Sequence, residues 1–228
     1  NPKLDKSALL TFQMGFRKSD HFIEVPNFRP PFQKGKRTYV YAGAYSPNWA
    51  PLFSLWLQAL AQLNNNSSLP NIEFLFIGTG NPELPGIQEQ ADQLGLNQLV
   101  REIPHRIPYL EVQQILRESD GAMVIGSIEP HYSASKLFQC LITAPRVFGF
   151  FHRDSEGSDI LNQCRATDFF IPYHTDLAEG ELMAALSTKI ASFIDPTHEW
   201  TANLKPLEEH STENNARKFL RAVERVID

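Results

Sequence analysis

The run Ile72-Glu73-Phe74-Leu75-Phe76-Ile77 is apolar at nearly every position and closes on Gly78-Thr79-Gly80. A run that short, with no alternating polar face, reads as a strand covered on both sides. Covering both sides requires helices on either side of it in the chain, and the sequence supplies them. Short β-branched or aromatic runs over 38–42, 72–77, 99–103, 122–125, 146–150 and 169–171 alternate with longer stretches over 52–63, 87–94, 109–117, 135–142, 155–164, 177–193 and 212–226. In the first of these, Leu52, Phe53, Trp56, Ala59, Leu60 and Leu63 repeat at the three-to-four spacing of one buried helix face. Alternation of this kind is the mark of a parallel sheet built from βαβ units, so the expected fold is α/β, an open doubly wound parallel sheet.

The segments between are consistent with that reading. Asn64-Asn65-Asn66-Ser67-Ser68 reads as an exposed loop, Gly95 as the glycine that ends a helix, and Ser155 or Ser158 as a helix N-cap. Residues 1–35 do not share the rhythm. Residues 7–14 suit a helix and residues 21–25 a strand, followed by the rigid stretch Pro26-Asn27-Phe28-Arg29-Pro30-Pro31. The expected organisation is therefore a connecting segment over 1–35, following a first domain upstream, and one α/β domain over 36–228.

Composition narrows the function. The net charge of -5 argues against a dedicated nucleic-acid binder, which would carry a basic face, but leaves phosphate ligands open because backbone amides at helix ends bind them. No apolar run approaches the ~20 residues of a membrane span, and the start carries no signal-peptide pattern, so a cytoplasmic protein is expected. Cys140 and Cys164 lie in apolar stretches and read as buried, reduced thiols. No Cys or His pair has zinc-ligand spacing, so no metal is expected. The last helical stretch places Ala216, Phe219, Leu220, Val223 and Ile227 on one face and Arg217, Lys218, Arg221 and Arg225 around the other. That arrangement suits packing on the domain with a basic outer face, with peripheral membrane contact as the alternative.

In open α/β sheets ligands bind beyond the carboxyl ends of the strands. The loop after Ile125 carries the strongest signal there, because Ser133 and Ser135 lead into an amphipathic helix with Lys136 in its first turn. Free amides, a helix dipole, hydroxyls and an ammonium together make a phosphate site; an ordinary helix cap accounts for the hydroxyls equally well. Gly78-Thr79-Gly80 is not a dinucleotide fingerprint, since Glu83 stands where its third glycine would be. After residue 150, Arg153 and Glu156 are the polar residues able to meet a phosphate and a sugar hydroxyl.

The string Tyr132-Ser133-Ala134-Ser135-Lys136-Leu137-Phe138, followed by a strand beginning Arg146-Val147, resembles the nucleotide-binding half of the large retaining class of GT-B glycosyltransferases. Pro26-Asn27, Tyr41-Ala42-Gly43-Ala44, Phe76-Ile77-Gly78-Thr79-Gly80 and Pro108-Tyr109 fall in matching order, so the resemblance covers about residues 25–172. It implies the C-terminal half of a GT-B architecture, a nucleotide diphosphate sugar as donor, no cofactor, and an acceptor-binding N-terminal domain as partner. It implies that Gly43 and Ala44 let the diphosphate or sugar approach the backbone, that Arg106, Ile107 and Pro108 lie beside the base, and that Ser133, Ser135 and Lys136 face the diphosphate. The ribose-contacting glutamate of the family falls on Gln139, and the glutamate touching the donor sugar falls on His131. The family's basic pair after the first strand is replaced by Tyr45-Ser46-Pro47-Asn48. These departures keep two alternatives open: a sugar-nucleotide epimerase with Glu129 and Glu156 as candidate acid/base groups, and a non-catalytic nucleotide-sugar-binding module. The catalytic residues are not assignable from this chain.

Overall fold

The computed structural model describes residues 15–67, 69, 71–131 and 135–227. Six strands form one all-parallel sheet: β1 (Arg37–Ala42), β2 (Ile72–Ile77), β3 (Val100–Ile103), β4 (Gly121–Ile125), β5 (Val147–His152) and β6 (Phe170–Tyr173). They are joined by α1 (Ala50–Asn66), α2 (Ile87–Gln93), α3 (Tyr109–Glu118), α4 (Ser135–Thr143) and α5 (Glu156–Gln163). After β6 come α6 (Glu179–Ile194), a short 3-10 helix (Lys205–His210) and α7 (Thr212–Ile227). The strand order is β3-β2-β1-β4-β5-β6, so the chain winds outward from β1 in one direction and then restarts beside β1 at β4. This is the doubly wound Rossmann-like fold expected from the βα alternation.

The two-residue period of the strands splits the core. Tyr39, Tyr41, Phe74, Phe76, Met123, Phe148 and Phe150 face one layer, with Phe53 and Trp56 of α1 and Leu186 and Phe193 of α6. Val40, Leu75, Ile77, Val124, Val147 and Phe151 face the other, against Ile115 of α3, Leu137 and Leu141 of α4 and Ile160 of α5. Each of these large side chains, taken fully out of water, contributes about 1.5–3 kcal/mol. Within β2, Glu73 is buried and accepts from Arg101 Nε at 2.5 Å, Thr38 Oγ1 at 3.1 Å and the Gln33 amide at 3.3 Å.

Three local expectations are corrected. The segment read as a loop from Asn64 is still helical through Asn66, and the Ser67 amide closes the helix on the Leu63 carbonyl at 2.9 Å. His21–Val25 is not a strand: Lys18–Phe22 is a 3-10 helix packed on α3, with His21 Nδ1 2.6 Å from Gln113 Oε1 and the Val25 amide donating to Gln114 Oε1 at 3.0 Å. Its polar groups are taken by side chains of α3 rather than by a neighbouring strand, Arg117 also donating to the His21 carbonyl at 3.0 Å. Ser155 occupies the N-cap position of α5, yet its hydroxyl makes no capping bond; the Ser158 hydroxyl instead donates to the His152 carbonyl at 3.0 Å. The helix expected over 7–14 lies outside the described residues. On α7, Phe219 and Leu220 are 54% and 59% exposed. Among the described residues the helix packs on the 3-10 helix before it. Gly95 has φ +72°, as expected of a helix-ending glycine.

Candidate functional site

The reversal of strand order opens a crevice between the carboxyl ends of β1 and β4, where neighbouring connections leave to opposite faces of the sheet. The strand ends are tied together there: the amides of Gly43, Gly78 and Gly126 donate to the carbonyls of Ile77, Ile103 and Phe150 at 2.8, 2.8 and 2.9 Å. Gly78 needs its freedom, with φ +76° beside the Arg106 stem.

A pocket of about 360 Å³ lies at this crevice, lined by Ala42, Gly43, Ala44, Ile77, Gly78, Arg106, Ile107, Tyr109, Val112 and Lys136. Its wall has two characters. Ile107, with Tyr109 and Val112 one helical turn apart on α3, forms an apolar side. Lys136 and Arg106 supply two cations, and among the described residues no acidic side chain lines the pocket. Within an acidic chain this is a local concentration of positive charge, suited to an anion.

Lys136 is the centre of the arrangement. It stands in the first turn of α4, whose leading amides have no intrahelical acceptor. Its ammonium reaches back to the turn after β1. A methyl group added to Gly43 would fall 1.8 Å from Lys136 Nζ, so the ammonium keeps this position only while residue 43 has no side chain. The ammonium also lies over the rings of Tyr41 and Trp49, 5.5 and 5.4 Å from their centroids. Burial, and secondarily the Arg106 charge, lower its pKa from 10.5 to about 8. The Tyr41 hydroxyl donates to the Ala44 carbonyl at 2.7 Å, which braces the same turn. Among the described residues neither Lys136 nor Arg106 is in a salt bridge.

Of the residues singled out from the sequence, Gly43, Ala44, Arg106 and Lys136 come together in this pocket, with Ile107. Pro108 caps α3 at its edge, its carbonyl accepting from the Val112 amide at 3.0 Å, and Ser135 precedes Lys136 at the start of α4. His131 is exposed in the loop after β4 and is not part of the lining. Ser133 lies outside the described residues. Gln139 is one turn beyond Lys136, and its Oε1 accepts from Gln113 Nε2 at 3.0 Å. Gln113 Oε1 in turn faces His21 Nδ1, so Gln139 ends a chain of side chains running from the 3-10 helix of His21 through α3 to α4. Glu156 sits in the first turn of α5, away from the pocket lining, where its charge acts on His210. Glu129 lies 3.5 Å from Asn48 Nδ2, where the β1–α1 and β4–α4 loops meet.

Tyr41, Trp49, Tyr109 and Val112 were not foreseen as site residues. Tyr109 and Val112 were legible as an i, i+3 pair opening a helix beneath a strand end. Trp49 was not, because it stands just ahead of the buried face that starts at Leu52 and Phe53, and an aromatic residue there carries no mark of a ligand site. Thr79, between the two glycines after β2, is used structurally: it donates to Glu102 Oε1 at 2.5 Å, while Glu102 Oε2 accepts from the Gln88 amide in the first turn of α2.

Among the described residues no group of three His, Cys, Asp or Glu is placed to hold a metal, and no helix is long and apolar enough to cross a membrane.

No protein-family model matches the sequence, and no curated protein is similar to it in sequence. Solved structures do share its fold. A glycosyltransferase from Rickettsia africae superimposes with a TM-score of 0.66 at 12% identity, covering 100% of this chain and 60% of that one. The pneumococcal O-GlcNAc transferase GtfA, solved with UDP and GlcNAc, gives 0.60 at 15% identity over 85% of this chain and 37% of its own. HepE of Anabaena, solved with UDP and glucose, gives 0.58 at 15% identity over 84% and 49%. The fold is that of one half of a GT-B glycosyltransferase, and the chain spans between 37% and 60% of the length of these structures.

Proposed function

We propose that this chain is the donor-binding half of a glycosyltransferase that moves a sugar from a nucleotide diphosphate sugar to an acceptor. The observation that carries the proposal is the Lys136 ammonium held against the backbone of Gly43, at the strand-order reversal and at the mouth of a pocket with one apolar wall. The apolar wall of Ile107, Tyr109 and Val112 takes the base, with Arg106 and Pro108 beside it. Lys136, Ser133, Ser135 and the first amides of α4 take the diphosphate, and Gly43 and Ala44 leave room for it. His131, Gln139 and Glu156 are the polar residues nearest in sequence to the sugar and ribose ends. Structures of the same fold solved with UDP support a nucleotide as the ligand.

Catalysis of this kind is chiefly positioning, together with stabilisation of charge on the departing diphosphate by amides and a cation. The acceptor and the remaining catalytic groups belong to the partner half across the cleft. This chain alone therefore binds donor and turns it over slowly or not at all. The test is turnover by the intact protein in deuterated water. A transferase passes sugar to acceptor or water and releases nucleoside diphosphate without exchange at the sugar carbons. Deuterium appearing in the sugar, and lost in Glu129→Gln or Glu156→Gln, would identify an epimerase. No turnover with binding intact would identify a non-catalytic module.

A further inference from the structure

We propose that Trp49 is the positioning residue for the diphosphate-binding cation: with Tyr41 it forms an aromatic cage that holds the Lys136 ammonium against Gly43. This inference rests on the donor-site reading above and names a residue which that reading does not use.

A diphosphate carries at least two negative charges, and the segment 45–48 after the first strand, Tyr-Ser-Pro-Asn, supplies no cation to meet them. The cations lining the pocket are Lys136, from the opposite side of the crevice, and Arg106, which is exposed. A lysine side chain has four rotatable bonds, and an unrestrained ammonium at the edge of a crevice spends little time in one place. Here it does not lack restraint. Trp49 and Tyr41 present their faces to Nζ at 5.4 and 5.5 Å, both inside the range in which a ring's negative face attracts a cation. On the third side stands Gly43, where any side chain would occupy the same space.

Both rings are themselves fixed. Tyr41 is buried in β1 and its hydroxyl is bonded to Ala44. Trp49 precedes α1, its amide donates to the Ser46 carbonyl at 2.9 Å, and it packs on the aromatic layer of the core. The segment that offers no charge thus offers an aromatic face, and the two helices flanking the switch point each contribute half of one anion-binding device. The cage works by orientation: it aims an ammonium at the space above Gly43 before a ligand arrives, so less side-chain freedom is lost on binding.

The groups facing Lys136 define its pH behaviour. Arg106 repels it, Tyr41 and Tyr109 border the site, and Cys140 on its own helix is a thiol whose burial pushes its pKa up to about 12, so it is neutral throughout the working range. Burial pushes Tyr109 up from the usual phenol value as well. The charge that changes first above neutrality is that of Lys136, near pH 8.

The experiment is calorimetric titration of the protein with uridine, adenosine and guanosine diphosphate glucose between pH 6 and 10. The diphosphate diester of these probes keeps its charge over that range. The wild-type protein is expected to bind one of them with an affinity that is flat to about pH 7.5 and falls above pH 8. Trp49→Leu opens the cage to water. It is expected to weaken binding at pH 7 by about tenfold and to move the break upward, toward the ordinary lysine range. Trp49→Phe, which keeps a ring face, is expected to recover most of both. Reductive methylation with a carbon-13 label gives a readout that needs no ligand: the Lys136 signal is expected to be shifted by ring current in the wild type and not in Trp49→Leu. If the wild type binds a probe while Trp49→Leu binds it equally well with the same pH break, the cage has no role and this inference is overturned while the donor site stands. If the wild type binds none of the probes, the donor-site reading falls and this inference with it.

Discussion

Gly43→Ala separates stability from binding. Gly43 does not have a positive φ, so an alanine is acceptable to the backbone. Its new methyl would lie 1.8 Å from Lys136 Nζ, 2.6 Å from Cε and 2.9 Å from Cδ. All three atoms belong to the far end of a flexible side chain, which can leave. Expelling the ammonium restores its hydration, and replacing glycine lowers the entropy of the unfolded chain, a gain of about 0.4–1 kcal/mol where the geometry is compatible. The variant is therefore expected to unfold at the same urea midpoint as the wild type or slightly above it. Its binding is expected to suffer. A charge-assisted hydrogen bond contributes about 1.5–3 kcal/mol, so losing the aimed ammonium should weaken nucleotide-sugar affinity by about 10- to 100-fold. Urea unfolding followed by tryptophan fluorescence and calorimetric titration on the same sample measure both quantities. Unchanged affinity would refute the placement of the diphosphate at Gly43. A loss of more than about 2 kcal/mol of stability would show that Gly43 is held by something other than Lys136.

Three further outcomes follow from the same geometry. Lys136→Met removes a desolvated amine: the fall from 10.5 to about 8 corresponds to about 3 kcal/mol, a penalty present in full below pH 8 and relieved as pH rises toward 10.5. The variant should be more stable than the wild type at pH 7, by up to that amount, with the gain disappearing near pH 10 in urea titrations, and it should bind nucleotide sugar poorly. Glu73→Ala leaves Arg101 beside an empty buried position and is expected to cost about 3–5 kcal/mol while leaving the affinity of the remaining folded protein unchanged, since Glu73 does not line the pocket. Gly121→Ala would bring a methyl to 2.8 Å from Phe193 Cζ and 2.9 Å from Arg146 Cγ, and should destabilise by about 1–3 kcal/mol in thermal unfolding through overpacking between β4 and α6.

The inner strands were legible because they are buried on both faces: a short apolar run such as Ile72–Ile77, closed by glycines, reads as a strand. The end of α1 was not, because Asn64-Asn65-Asn66 is an exposed run of poor helix formers, and what carries the helix through it is the packing of α1 on α6. Likewise the alternation over residues 21–25 imitates a strand, whereas long-range bonds from His21 to Gln113 and from Val25 to Gln114 decide its structure. In the site, the charged and glycine positions stood out by chemistry alone. The cage did not, since an aromatic residue at helical spacing looks the same whether its face meets the core or a cation. Nor did the sequence reveal that Gln139 accepts from Gln113, a contact between α3 and α4 made by residues 26 apart in the chain.

The most direct test of the central claim is calorimetric titration of this chain with nucleoside diphosphates and their sugar conjugates, with Lys136→Ala alongside. Saturable one-to-one binding of one diphosphate is expected, weakened at least tenfold by the substitution. Binding that Lys136→Ala leaves intact, or no binding of any member of the panel by the folded protein, would contradict that claim.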